Sequence, residues 1–163
     1  MKLTKSAEYH ANPEEVFAVL SDPKFQTAKC AATAALEHEA SVSASGDRTV
    51  ITTERVLPSD GLPDFARSMV GETLTVRETQ DWGPAADNGA RDGTVDMEVS
   101  GVPLSLRGTL RLEPGGPGTL QHIDAELKAK VPLIGGKMEK AAAPPIQQAI
   151  DIEVRTAHEW LHG

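Results

Sequence analysis

The chain has a single cysteine, Cys30, few aromatic side chains, no long apolar run and no excess of basic residues. Each shortage closes off a class of protein. One cysteine cannot form an intrachain disulfide, so nothing points to an oxidising compartment, and a buried structural thiol is the expectation for Cys30. Aromatics make up 4% of the 163 residues (Tyr9, Phe17, Phe25, Phe65, Trp82 and Trp160), so aliphatic side chains must line most of the interior. The net charge of −8 argues against sequence-independent nucleic-acid binding, which needs clustered Lys and Arg, and against docking to an anionic bilayer. The opening residues lack an apolar signal segment, and no stretch approaches the length of a membrane span. A cytoplasmic protein without nucleic-acid partners or integral membrane association is the expectation. At this length one domain, residues 1–163, is expected, large enough to bury a core unaided.

What is present is orderly. Lys2 to His10 reads as a short strand. Asn12-Pro13-Glu14-Glu15 then starts a helix: Asn12 caps the first turn, Pro13 takes the position where its missing donor costs least, and two carboxylates face the positive end of the helix dipole. Ser21-Asp22-Pro23 stops that helix and starts a second, giving helices over about 13–20 and 22–34. Period-two alternation follows over Leu36–Ser43, Thr49–Leu57, Glu72–Trp82 and Gly93–Val99. It is clearest in Leu104-Leu106-Gly108-Leu110-Leu112 and in Ile123-Ala125-Leu127-Ala129-Val131, where the opposite face is mostly charged. Gly115-Gly116-Pro117-Gly118 between these two runs is a hairpin signal. Together with Lys2–His10 the pattern gives seven strands. Pro58 to Gly71 interrupts them; Leu62, Phe65, Ala66 and Met69 have helical spacing, as expected of a short helix in a connection that serves as a lid or a plain crossover. From Leu133 to Leu161 a broad apolar face predicts a long closing helix. Pro144-Pro145 inside it predicts a kink or break near Ala143–Pro145.

This order of elements, with the stretch Asn12-Pro13-Glu14-Glu15-Val16-Phe17, Leu20 and Asp22-Pro23, resembles the START-like, polyketide-cyclase-like (SRPBCC) superfamily along essentially the whole chain. Val131-Pro132-Leu133-Ile134-Gly135-Gly136-Lys137-Met138-Glu139 and Glu159-Trp160-Leu161 look closer still to an uncharacterised actinobacterial family within it. The resemblance implies an α+β helix-grip fold: a seven-stranded curved antiparallel sheet wrapped around the long C-terminal helix, with two short helices after the first strand. It also implies a cavity between sheet and helix, in which superfamily members bind lipids, sterols, polyketides or hormones, and some catalyse cyclisation or hydrolysis. Small inward residues such as Gly108, Ala125, Ala129, Ala142 and Ala149 leave room for one; the alternative is a filled core.

Motifs for specific chemistry are missing. The histidines (His10, His38, His122, His158, His162) lack metal-ligand spacing, Gly135-Gly136-Lys137 is not a phosphate loop, and no nucleophile elbow or dinucleotide fingerprint occurs. No metal or cofactor is expected. The leading expectation is a binding protein for a hydrophobic small molecule. Its walls would be Val95, Met97, Leu106, Leu110, Ile123, Leu127, Ile146 and Ile150, with Phe65 and Met69 at the entrance. A cyclase- or hydrolase-type enzyme would instead need inward carboxylates. Alternation sets Thr52 and Glu54 with Val50 and Val56, Glu78 and Gln80 with Leu74, Val76 and Trp82, and His38 with Leu36, Ala40 and Val42. Cross-strand ion pairs of Glu54 and Glu78 with Arg55 or Arg77 are the plainer reading of the same residues. A third alternative is a protein-interaction module with a filled core and an apolar surface patch.

Overall fold

The computed structural model describes residues Met1–Gly163. The chain begins with β1 (Lys2–Tyr9), α1 (Pro13–Leu20) and α2 (Pro23–Ala32). There follow β2 (Glu37–Ser45), β3 (Arg48–Pro58), α3 (Asp64–Val70), β4 (Thr73–Trp82), β5 (Arg91–Val99), β6 (Val102–Gly115), β7 (Gly118–Ala129) and α4 (Gly135–His162). The strands form one seven-stranded sheet in the order β1-β7-β6-β5-β4-β3-β2, every pairing antiparallel. The architecture is the helix-grip fold, a curved open sheet gripping a long C-terminal helix.

Local chemistry accounts for the helix starts. Glu15 N–H donates to Asn12 Oδ1 at 2.8 Å while Asn12 N–H donates to Glu15 Oε1 at 3.3 Å, a complete capping box. Asp22 caps α2 by accepting from Lys24 N–H at 2.9 Å. The sheet's curvature needs close approach between strands where no side chain intervenes. A Cβ on Gly108 would lie 2.1 Å from the Asp124 carbonyl oxygen and 2.7 Å from Ala125 Cβ, so only glycine fits in β6 opposite Ala125. A register shift between Glu98 and Val99 adds a second irregularity, in β5.

The long helix departs from expectation. It runs unbroken through Pro144 and Pro145, so of the expected kink or break the break does not occur. Neither proline has an N–H, so the Lys140 and Ala141 carbonyls lose their usual partners. Tertiary packing overrides this local penalty. Met138 and Ala143 are buried in one core cluster and Ala157 in another, pinning the helix on both sides of the prolines. Gly135 and Gly136 are the first residues of the helix rather than a lead-in to it, and the left-handed turn falls on Leu133 (φ 70°). A Cβ on Gly135 would meet the Ala129 carbonyl oxygen at 2.7 Å, so this glycine lets the helix start against the end of β7.

Candidate functional site

Helix α4 lies closest to β7 and β1 along the sheet and to α1 and α2 at its C-terminal half. The concave face of β3 to β6 therefore stands off from the helix, and the gap is a cavity of about 150 Å³. Hydrophobic side chains supply 20 of its 27 lining residues. Of the anticipated wall residues, Val95, Met97, Leu106, Leu110, Ile123, Ile146 and Ile150 line it. Leu127 does not; it is fully buried in the core with Leu3 and Ala129. Neither entrance candidate reaches the cavity. Phe65 packs beside it with the Lys137 ammonium 4.2 Å from its ring centroid, and Met69 is 39% exposed. The side of α3 that covers the cavity is instead Ala66 and Val70, preceded by Leu62. The base of this cover is clasped: buried Ser59 donates its hydroxyl to the Gly71 carbonyl, and its N–H donates to the Glu72 carbonyl at 3.0 Å.

Polar groups collect where the cavity meets α2. Lys29, on the buried stripe Phe25-Gln26-Lys29-Cys30, sends its ammonium to Glu153 Oε2 on α4 at 2.9 Å and to Glu78 Oε1 on β4 at 3.4 Å. Burial alone would strip charge from Lys29, but Glu153 and Glu78 outweigh it and hold its pKa above the usual lysine range. Burial likewise pushes Glu78 up, and the nearby Lys29 and Arg55 charges outweigh it, leaving the carboxyl below its ordinary pKa. A lysine held protonated is no nucleophile, and a carboxylate held ionised has no proton to give. Around this core Trp82 Nε1 donates to Gln80 Oε1 at 3.0 Å, and Gln80 Nε2 reaches Glu78 Oε1 at 3.5 Å. Tyr9 donates its hydroxyl to Gln121 Oε1 at 2.8 Å, and burial, then the Glu153 charge, pushes its pKa well above that of a free phenol. Cys30 is fully buried beside Lys29, and burial raises its thiol pKa.

The carboxylates singled out from sequence divide. Glu78 faces the cavity, with Leu74, Val76 and Gln80. Its partner is Lys29, not a cross-strand arginine. Glu54 faces out and pairs across the strands with Arg77 at 3.4 Å. For Glu54 the plainer of the two readings holds and the inward one fails: Ile51, Thr53 and Arg55 are buried, whereas Thr52 and Glu54 share the outer face with Val50 and Val56. Polar residues occur on both faces of this strand, so its alternation carried no direction. His38 is half-buried on β2 beside Arg55 in register and does not line the cavity. The convergence of acid–base groups that an enzyme built on Glu54, Glu78 and His38 requires is absent. Lys29, Arg55, Gln121 and Glu153 escaped the sequence reading. Glu153 did leave a trace, as the one carboxylate at helical spacing within Ile146-Ala149-Ile150 and Ala157.

Fold and site together define a helix-grip protein with an aliphatic cavity and a buried ionic cluster at one end of it. The chain belongs to the family described as "Protein of unknown function (DUF2505)", which matches residues 4–161. An uncharacterized protein of Mycobacterium tuberculosis (strain ATCC 25618 / H37Rv) is 27% identical over 164 residues, covering 96% of this chain and 94% of that protein. Among solved structures, a Thermus thermophilus protein, TTHA0849, superposes with a TM-score of 0.65 at 17% identity, covering 99% of this chain and 97% of that one. A STAR-related lipid transfer protein from Xanthomonas axonopodis gives 0.62 at 12% identity, over 99% and 86% of the two chains. The Zhui aromatase/cyclase from Streptomyces sp. R1128 gives 0.61 at 9%, over 99% and 93%. At these identities the likeness is one of fold.

Proposed function

We propose that this protein binds a hydrophobic small molecule, lipid or polyketide-like, between the concave sheet and α4, as a cytoplasmic member of the START-like superfamily. The observation that carries the reading is the hollow itself: about 150 Å³ of space walled mainly by aliphatic side chains, beside a fully packed aromatic core. Apolar walls around a space of that size take up small apolar guests. Ordinary ligand pockets start at roughly 300 Å³. A ligand of that size therefore displaces the cover formed by Leu62, Ala66 and Val70, which hangs from the Ser59 clasp. The lipid transfer and aromatase/cyclase neighbours lend support, since the names of both imply apolar guests in this fold.

The test is native mass spectrometry of protein purified from its own host, followed by titration with an apolar fluorescent dye. The expected result is a co-purifying apolar mass at one per chain and a dye signal weakened in Ala149→Leu, which intrudes on the cavity. Protein with no bound mass and a dye response unaffected by Ala149→Leu would sink the reading.

A further inference from the structure

Every charged or amide side chain that lines the cavity has a polar partner except one. Lys29 holds Glu78 and Glu153; Gln80 serves Trp82 and Glu78; Gln121 serves Tyr9. Arg55 lines the same cavity from β3, is only 6% exposed, and its Nε has no hydrogen-bond partner. No carboxylate forms an ion pair with its guanidinium. A buried guanidinium with an unpartnered Nε and no carboxylate within ion-pair distance keeps hydrogen-bonding capacity to spare, although its charge acts on nearby Glu78. Its five N–H groups form a planar fork whose geometric complement is a carboxylate bound through two parallel hydrogen bonds.

We propose that the ligand is an amphiphile with a carboxylate head and an aliphatic body, and that Arg55 is the anchor for the head. This rests on the cavity-binding reading above and names the class of ligand. The layout fits an amphiphile lying in the cavity. Arg55 is close enough to Lys29 and Glu78 for its charge to act on both, while Leu62, Val70 and Leu104, which also line the space, pack with the aliphatic cluster. Lys29 cannot take the same role, because both of its carboxylate partners already occupy it. The size of the cavity also favours a compact carboxylate over a bulky head.

Binding of decanoic acid, decan-1-ol and methyl decanoate, each measured by calorimetry at pH 7.5, separates the possibilities. The acid is expected to bind at least about tenfold more tightly than the alcohol or the ester, the worth of a charge-assisted hydrogen bond. Arg55→Met keeps the length and apolar stem and should erase that preference while leaving binding of the ester within about twofold. Arg55→Lys should recover part of it, because it restores charge without the fork. Apo Arg55→Met should melt close to the parent, because Lys29 still pairs with Glu78 and Glu153 and an unpartnered buried Nε is removed. A lower melting temperature would mark Arg55 as a structural counter-ion of Glu78 and overturn the anchor. Equal affinities for all three probes in the parent protein would overturn the carboxylate head and leave cavity binding standing. A preference that survives Arg55→Met would overturn Arg55 as its source. Failure of all three probes to bind would overturn the cavity reading and this inference with it.

Discussion

At one end of the interior Phe17 stacks edge-on against Trp82 with ring centroids 5.8 Å apart, and Phe25 meets Trp160 in the same way at 5.7 Å. Tyr9, Phe17, Phe25 and Trp82 share that cluster with Val16, Leu20, Ile51 and Leu112, almost all fully buried. At the other end the cluster of Leu3, Ala66, Val76, Met97, Val102, Leu106, Leu127 and Met138 contains no buried aromatic, and the cavity opens against it. One sheet and one helix thus bound both a filled region and a hollow one. Rings supply large volume per residue and fill the first. Small and aliphatic side chains cover the second without filling it. Lys29, Glu78 and Glu153 lie between the two, with α2, β4 and α4 each contributing one side chain. A scarcity of aromatics decides where the protein is solid, not whether it folds.

The difference between the ends can be attacked at its border first. Lys29→Met strands two buried carboxylates and should cost about 3–5 kcal/mol, read as the loss of unfolding free energy in urea. A loss under about 1 kcal/mol would mean that the cluster is hydrated and the border is not dry. Next come two identical substitutions on one helix. Ala157→Leu, in the filled end, should destabilise by about 1–3 kcal/mol through overpacking. Ala149→Leu, facing the cavity, should instead stabilise by about 0.5–2 kcal/mol while weakening ligand uptake. Equal signs for the pair would erase the distinction between the ends.

The smallest effect is in pH. The folded-state pKa of Glu78 lies below its ordinary 4.5, so its contribution is present above that value and is lost as pH falls through the lower one. Lys29 behaves oppositely: its contribution is complete below 10.5 and is lost only as pH rises beyond it. Stability should therefore be level in this respect between those limits. Glu78→Gln should show a shallower acid-side decline than the parent in melts taken between pH 6 and about 3. Parallel declines would show that other carboxylates carry it.

Legibility in the sequence followed the same division of the molecule. The strands β6 and β7 announced themselves because one face of each is apolar and the other largely polar. The cap at Asn12 was readable because it is made between near neighbours, Asn12 and Glu15. β3 announced its faces but not their direction, because Thr53 and Arg55 face inward while Val50 and Val56 face out, and a burial rule based on polarity cannot orient such a strand. Pro144-Pro145 overstated the chance of a break for a related reason. A local penalty is visible in sequence, whereas the packing of Met138, Ala143 and Ala157 that overrides it is assembled from elements far apart in the chain. The ionic cluster was the least legible part. Lys29 is separated from Glu78 by 49 residues and from Glu153 by 124, and no spacing rule connects them.

The sheet order has a consequence for how the protein comes into being. Six strands, β2 to β7, join neighbours that follow one another along the chain, so each can close soon after it leaves the ribosome. β1 is different: Lys2 pairs with Glu126 and Tyr9 with Thr119, and β7 is its only partner. β1 must therefore wait for β7, the last of the seven strands to be made, and Leu3 and Tyr9 stay exposed until then. The alternation of Lys2, Thr4, Ser6 and Glu8 with those apolar residues keeps that waiting segment polar on one face, which protects a nascent strand from pairing with its neighbours on a polysome.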